Sequence, residues 1–380
     1  MENFVINNPT VLHFGKNVIS KLPAIAKLYG KKALLVIGQG SVIKNGIYDE
    51  VISLLKKANI EIIEYNGIKP NPVYNDVDIA AKIAKEEKVD FIIAVGGGSV
   101  IDSAKMISIT TFVENSVWDF YENKIKPLKA LPLIAVLTIA ATGTEMNCFA
   151  VLQNNETLQK EGYAHPLIYP KHSFLDPQYT FSVPLAQTSY GIVDLIAHCL
   201  EYFFGEGDSP MSDKIAIATI AEAIECAPTL LSDLYNYELR ARIMYAATIA
   251  LNGWNSYGKI GADWGVHNIG HVLSLICDIP HGASLSIAYI AWLKYHSKKA
   301  SDKIQKLGHL LYRDPSIENT INNIEQFFKS IGCPINFKEA NIDTNKYSLI
   351  LNTMLKNKVG GEFYKLSEED ITNIFYLMSA

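Results

Sequence analysis

In Asp90-Phe91-Ile92-Ile93-Ala94-Val95-Gly96-Gly97-Gly98-Ser99, an unbroken apolar run leads straight into three glycines and a serine. An uninterrupted run, as opposed to an alternating one, is the pattern of a parallel strand covered on both faces. A helix is expected directly afterwards, over residues 100–109, with Asp102 and Lys105 on its first turns. Glycine at such a junction lets backbone approach a pyrophosphate, and the helix start supplies N–H groups and a positive dipole end. The same glycines also suit a plain tight turn. The full dinucleotide fingerprint is absent: in Gly38-Gln39-Gly40-Ser41 and onward the third glycine position holds Ile43, and the run from Gly96 lacks it too.

Working outward, the same rhythm repeats. Ala33-Leu34-Leu35-Val36-Ile37 is a second buried strand, ending at Gly38. Helical composition over 48–57, a strand at 61–65, a turn at Pro70-Asn71-Pro72, a helix over 77–87 and a strand at 133–137 complete the pattern. Repeated strand–helix–strand units imply a parallel sheet with right-handed crossovers. Beyond Val183 the period changes to that of helices, over 187–204, 212–231, 238–253, 266–275 and 283–295. Prolines 177 and 184 bracket the change. The expected architecture is α/β plus all-α: a parallel-sheet domain over 1–183, whose glycine turn suits a dinucleotide, and an all-helical domain over 184–380.

Bulk properties agree with two domains and a sizeable packed core. The 380 residues are 49% hydrophobic and 19% charged, with 34 Lys and Arg against 39 Asp and Glu, a net charge of -5. That balance gives no cationic surface for nucleic acid. Five dispersed cysteines without a CxxC argue against disulfides and cysteine-rich zinc sites. The N-terminus lacks the pattern of a signal peptide, and the apolar stretches 130–141 and 282–293 are short for a bilayer. A cytoplasmic protein without a membrane or nucleic-acid partner is expected.

The helical half carries the sharper chemistry. Asp194 and His198 stand four residues apart on an expected helix, His267 and His271 repeat the spacing on a later one, and His281 follows. Residues so spaced share one helix face. One carboxylate with several imidazoles suits zinc or iron. Nine histidines can also produce one such pair by chance, and spacing leaves open which four of the five would bind.

These pieces together resemble the iron-containing (group III) alcohol dehydrogenase family, in its butanol dehydrogenase and broad-specificity aldehyde reductase branch. The matching segments are Phe14-Gly15-Lys16, Pro70-Asn71-Pro72, Gly96 to Ser99 with Asp102 and Lys105, and Thr138 with Ala141-Thr142-Gly143-Thr144-Glu145. Leu175-Asp176-Pro177, Gly191 to Asp194 with His198 and Glu201, His267-Asn268-Ile269-Gly270-His271 and His281-Gly282 follow in family order. The resemblance implies one divalent metal, iron or zinc, on Asp194, His198, His267 and His281. It leaves His271 beside the nicotinamide, either relaying a proton or shaping the pocket wall. Gly97, Gly98, Ser99 and Asp102 would take the pyrophosphate and adjoining ribose. Thr138, Thr142, Asn147 and Lys160 would line the path to the nicotinamide ribose, with Asn71 and Tyr179 as further cofactor contacts.

Gly38 departs from NAD-preferring relatives, which tend to carry Asp there. With no carboxylate to repel a 2′-phosphate, and with Ser41 and Lys44 near, NADP(H) is the expected preferred cofactor and NAD(H) an accepted one. The implied reaction is hydride transfer to or from a small primary alcohol or aldehyde, of butanol or butanal type, by a homodimer. Cys148, Phe149, Val151, Trp254 and Tyr257 would suit an apolar substrate, although each is more commonly a core residue. Competing readings are an NAD-dependent polyol dehydrogenase of glycerol or 1,3-propanediol type, a metal-dependent hydrolase or lyase, and a non-catalytic homologue. The fourth metal-site candidate, His281, argues against the glycerol type.

Overall fold

The apolar runs 33–37, 91–95 and 133–137 are almost wholly removed from solvent and form the centre of a parallel sheet. The computed structural model describes residues 1–380. Its strands are β1 (Val11–Phe14), β2 (Lys32–Gly38), β3 (Glu61–Ile68), β4 (Phe91–Gly96), β5 (Leu133–Leu137), β6 (Phe149–Asn154), β7 (Gln159–Ala164) and β8 (His172–Leu175). Six of them form one sheet in the order β1-β8-β5-β4-β2-β3, all parallel. The edge strands β1 and β3 keep exposed positions, whereas β4 and β5 are buried throughout, as strands covered on both faces must be.

The helices of this half are α1 (Leu22–Ala26), α2 (Ser41–Lys44), α3 (Ile47–Lys57), α4 (Tyr74–Glu86), α5 (Gly98–Thr110) and α6 (Trp118–Tyr121). On one face of the sheet, Leu35, Phe91, Ile93 and Val95 pack in a core with Leu22 and Val51 from α1 and α3. Four strands, β1, β6, β7 and β8, are absent from the sequence reading. Two of them are only four residues long, and β8 begins His172-Ser173, so neither offers an apolar run of readable length.

Residues Asn7–Val183 make up this unit, and Met1–Ile6 with Pro184–Ala380 make up the other. The first six residues thus leave the domain to which the sequence reading assigns them. Glu2 donates its amide to Gly258 O at 3.0 Å, and the Phe4 ring stacks on Tyr257, which holds them in the helical unit.

The helical unit contains α7 (Leu185–Phe204), α8 (Pro210–Ser232), α9 (Tyr237–Leu251), α10 (Gly265–Cys277), α11 (His281–Tyr295), α12 (Ser301–Tyr312), α13 (Ile317–Ser330), α14 (Tyr347–Lys356) and α15 (Glu368–Ser379). Its central helix is α7, packed against α8, α9, α10 and α11 and buried nearly all round. α8 is long and apolar enough to cross a bilayer, yet it is a bundle helix, packed on α7 and α9. Its Glu222 and Glu225 both pair with Arg242 of α9.

Candidate metal centre and dinucleotide site

Because α7 is the central helix, the polar residues on one of its faces, Asp194, His198 and Glu201, are buried. A buried carboxylate demands compensation, by hydrogen bonds, an opposite charge or a metal. Three imidazoles converge on one oxygen of Asp194. His198 Nδ1 lies 3.7 Å from Asp194 Oδ1, His267 Nε2 3.9 Å and His281 Nε2 3.8 Å. These separations are too long for hydrogen bonds. They sit a few tenths of an ångström above the roughly 3.4 Å expected between ligands that share one ion through bonds of about 2.1 Å at tetrahedral angles.

Donor atoms of Asp194, His267 and His281 all lie within 4.8 Å of one another. His198 joins them through its contact with Asp194 and by stacking on His267, with ring centroids 4.8 Å apart. His198 Nδ1 is buried without a hydrogen-bond partner. Burial, reinforced by neighbouring His267, holds the His198 imidazole well below its ordinary pKa, so the ring is neutral, as a ligand must be. The donor set fits one divalent ion.

Local geometry brings the elements together. Gly282, after His281, packs so closely on α7 that a Cβ there would stand 2.1 Å from Tyr190 O. Only glycine lets the start of α11 reach the turn of α7 that precedes Asp194. His271 follows His267 by one turn of α10 and is buried, with ring centroids 5.4 Å from His281 and 6.4 Å from His267. A cavity of about 470 Å³ lined by Tyr190, Ile279, Pro280, Ala283 and Cys333, among others, abuts the turn before His281. None of the five Asp and His candidates lines it, so it is separate from the metal centre.

Glu201 has a role that the sequence reading leaves unassigned. One carboxylate oxygen accepts from both the backbone amide of His267, at 3.0 Å, and His267 Nδ1, at 2.8 Å. That pairing sets the tautomer and aims Nε2 towards Asp194. Burial pushes Glu201 up to about 8, while the amides of His267, Trp264 and Val266 pull it down. The available signal is its place one turn beyond His198 on the face that already carries Asp194.

In the sheet unit, Gly38, Gly96 and Leu137 end adjacent parallel strands β2, β4 and β5. Gly38, Gly97, Gly98, Ser99 and Thr138 therefore share the carboxyl edge of the sheet, where open α/β sheets bind ligands. Thr138 donates its amide to Gly96 O at 3.0 Å. A Cβ on Gly98 would stand 2.6 Å from the Thr142 methyl carbon, so this glycine is also required by packing. Ser41 and Lys44 are exposed on α2. Asn71, in a left-handed conformation, accepts from Lys160 Nζ at 2.8 Å, which brings these two candidates together across 89 residues. Tyr179 donates its hydroxyl to Glu50 at 2.7 Å.

Asp102 and Asn147 are engaged within the chain. Asp102 accepts from the Thr144 hydroxyl at 2.5 Å and the Val151 amide at 2.9 Å. Lys105, fully buried, donates to Thr144 Oγ1, Asn147 Oδ1 and Phe149 O at 2.6, 2.9 and 2.7 Å. Asn147 also donates to Gly143 O at 2.9 Å. This network ties α5, which follows the glycine turn, to the loop that carries Thr142. Asp102 and Asn147 thus brace that loop against α5.

Comparison with known proteins agrees with this architecture. Residues 9–177 match the family model described as iron-containing alcohol dehydrogenase, and residues 188–378 match the C-terminal model of the Fe-containing alcohol dehydrogenase family. The chain is 39% identical to probable NADH-dependent butanol dehydrogenase 1 of Bacillus subtilis, over 98% of this chain and 99% of that protein. It is 32% identical to the NADPH-dependent aldehyde reductase YqhD of Escherichia coli, over 93% of each. The crystal structure of NADH-dependent butanol dehydrogenase A from Thermotoga maritima superposes with a TM-score of 0.96 at 39% identity, covering 100% of this chain and 99% of that one. The chain belongs to the iron-containing alcohol dehydrogenase family and is an NAD(P)-dependent oxidoreductase.

Proposed function

We propose that the protein interconverts small primary alcohols and aldehydes, of butanol and butanal type, with NADP(H) as preferred cofactor and NAD(H) accepted. The observation that carries the metal-dependent part of this reading is the convergence of His198, His267 and His281 on Asp194 Oδ1. When bound, a divalent ion, iron or zinc, supplies Lewis acidity towards the substrate oxygen, and the nicotinamide supplies or accepts the hydride.

The chain's own residues divide the remaining work. Asp194, His198, His267 and His281 hold the ion, and Glu201 fixes the ring of His267. His271, buried beside His267 and His281, holds or passes the proton that accompanies hydride transfer at a ring nitrogen. The turn at Gly97, Gly98 and Ser99 receives the pyrophosphate at the start of α5. The β4 and β5 ends, with Thr138 and Thr142, carry the nicotinamide half of the cofactor.

The preference for NADP(H) rests on Gly38, which places no carboxylate at the end of β2, and on exposed Ser41 and Lys44 just beyond it. The relatives named above include both NADH- and NADPH-dependent enzymes. The deciding experiment follows cofactor absorbance while metal-depleted protein receives butanal with NADPH or NADH, before and after Fe2+ or Zn2+ is restored. Turnover that returns with metal and is faster with NADPH is expected. Faster turnover with NADH overturns the cofactor preference alone, and turnover unaffected by metal overturns the metal-dependent mechanism.

A further inference from the structure

Trp264 is the residue before α10, the helix that carries His267, and its backbone is left-handed, with φ 61° and ψ 6°. Glycine adopts that conformation freely, whereas a bulky L-residue resists it. Eleven non-glycine residues have positive φ; five are asparagines, and Trp264 is the only aromatic one. Several of the others close helices or turns, but Trp264 stands at the entrance of a helix bearing candidate metal ligands.

The backbone turn has an evident use. It directs the amides of Trp264, Val266 and His267 onto the Glu201 carboxylate, an anion nest of successive N–H groups. Glycine would build the same nest without strain, so the nest does not account for an indole. The ring does have specific contacts. It meets His267 edge-on, with centroids 5.2 Å apart and planes at 81°, and His198 likewise at 6.3 Å and 71°. Its third aromatic neighbour is Tyr202, at 5.7 Å and 73°. The indole is thus braced on Tyr202 and abuts both imidazoles from one side.

We propose that Trp264 is a positioning residue of the metal centre, whose indole holds the ring planes of His198 and His267. This rests on the reading of those histidines as metal ligands. The strained backbone is retained because the aromatic edge keeps both imidazoles aimed at one point. Loss of that edge frees the His198 ring, whose Nδ1 has no hydrogen bond, and leaves the His267 ring to its Nδ1 bond with Glu201, which weakens binding and changes the symmetry of the ligand field.

The test uses full-length protein loaded with Co2+, as wild type and as Trp264→Phe, Trp264→Leu and Trp264→Gly. Co2+ affinity is measured by competition with a chelator, the d–d absorption spectrum reports coordination geometry, and circular dichroism reports helix content. Phe and Leu keep the backbone strain, so their comparison isolates the aromatic edge. Trp264→Phe is expected to bind within about threefold of wild type with the same spectrum. Trp264→Leu and Trp264→Gly are expected to lose about tenfold or more and to show an altered spectrum, with helix content preserved. Wild-type affinity and spectrum in the Leu variant overturn the proposal, as does equal loss in Phe and Leu. If the Gly variant fails to fold, the Phe and Leu pair still decides. Wild type that binds no Co2+ would instead refute the metal-ligand reading, and this inference with it.

Discussion

Glu201 grips His267 at two points, its backbone amide at 3.0 Å and its Nδ1 at 2.8 Å, through a single carboxylate oxygen. The ring and the helix start that carries it are therefore fixed together, and Nε2 is left facing Asp194. The carboxylate lies one turn past His198 on α7, so α7 and α10, two of the three helices of the centre, are locked by the same residue.

Glu201→Gln keeps the size of the side chain but replaces the carboxyl oxygen that faces the His267 amide and Nδ1 with an amide whose NH2 can take that place, so the Nδ1–H tautomer is no longer enforced. Metal affinity measured by chelator competition is expected to fall about 10- to 100-fold, the usual range for an orienting partner of a metal-bound histidine. Unchanged affinity would show that the two contacts serve only the fold.

Asp194→Ala removes the atom on which three imidazoles converge. The purified variant is expected to hold no stoichiometric metal by elemental analysis and to have no measurable turnover. Full metal content would refute the assignment of Asp194 as a ligand.

His271→Ala separates metal binding from proton transfer. The variant is expected to retain metal while kcat falls about 10²-fold or more, the scale of a positioned acid or base. Wild-type kcat would assign His271 to the pocket wall.

Gly38→Asp tests the cofactor argument directly. Its Cβ would stand 3.4 Å from Ile68 O and 3.5 Å from Val100 Cγ2, ordinary contacts that admit a side chain. The ratio of kcat/KM with NADPH to that with NADH should fall about tenfold or more, equivalent to about 1.4 kcal/mol. No change would mean that the strand end does not read the 2′ position.

Lys105 gives a pH signature to the network beneath the glycine turn. Burial pulls its amine down from 10.5 to about 8. Between those pH values the unfolded chain binds more protons than the folded one, so stability rises with pH, and below about 8 the buried cation bears its full desolvation cost. Measured by urea unfolding at pH 8 and 9.5, wild type should gain stability relative to Lys105→Met, on the order of 1 kcal/mol per pH unit. A gap independent of pH would contradict the depressed amine.

Much of the fold is legible because burial on both faces leaves an unmistakable trace. The runs at 33–37, 91–95 and 133–137 have no polar residue to disguise them, and Gly38 and Gly96, which follow the first two, mark where those strands stop. β8 and β1 leave no such trace: each has four residues, and a parallel strand so short is defined by its neighbours more than by its own composition. The hairpin of β6 and β7 is hidden for a related reason, since Gln159-Lys160-Glu161-Gly162 is polar and pairs only because the facing strand is already in place.

The sequence by itself determined the helix faces that present Asp194 with His198 and His267 with His271, since a period of 3.6 residues makes positions four apart neighbours on any helix. It also determined β2, β3, β4 and β5 with α3, α4 and α5 between them, and the glycine turn at the end of β4. Only the tertiary structure decided that His198, His267 and His281 meet at one oxygen of Asp194, that Glu201 serves His267 across 66 residues, and that Asp102 is tied to Thr144 and Val151. Periodicity specifies which side of its own element a residue occupies. Which partner it meets depends on how close two elements can pack, here on the missing side chain of Gly282 against Tyr190, and that is a property of surfaces distant in the chain.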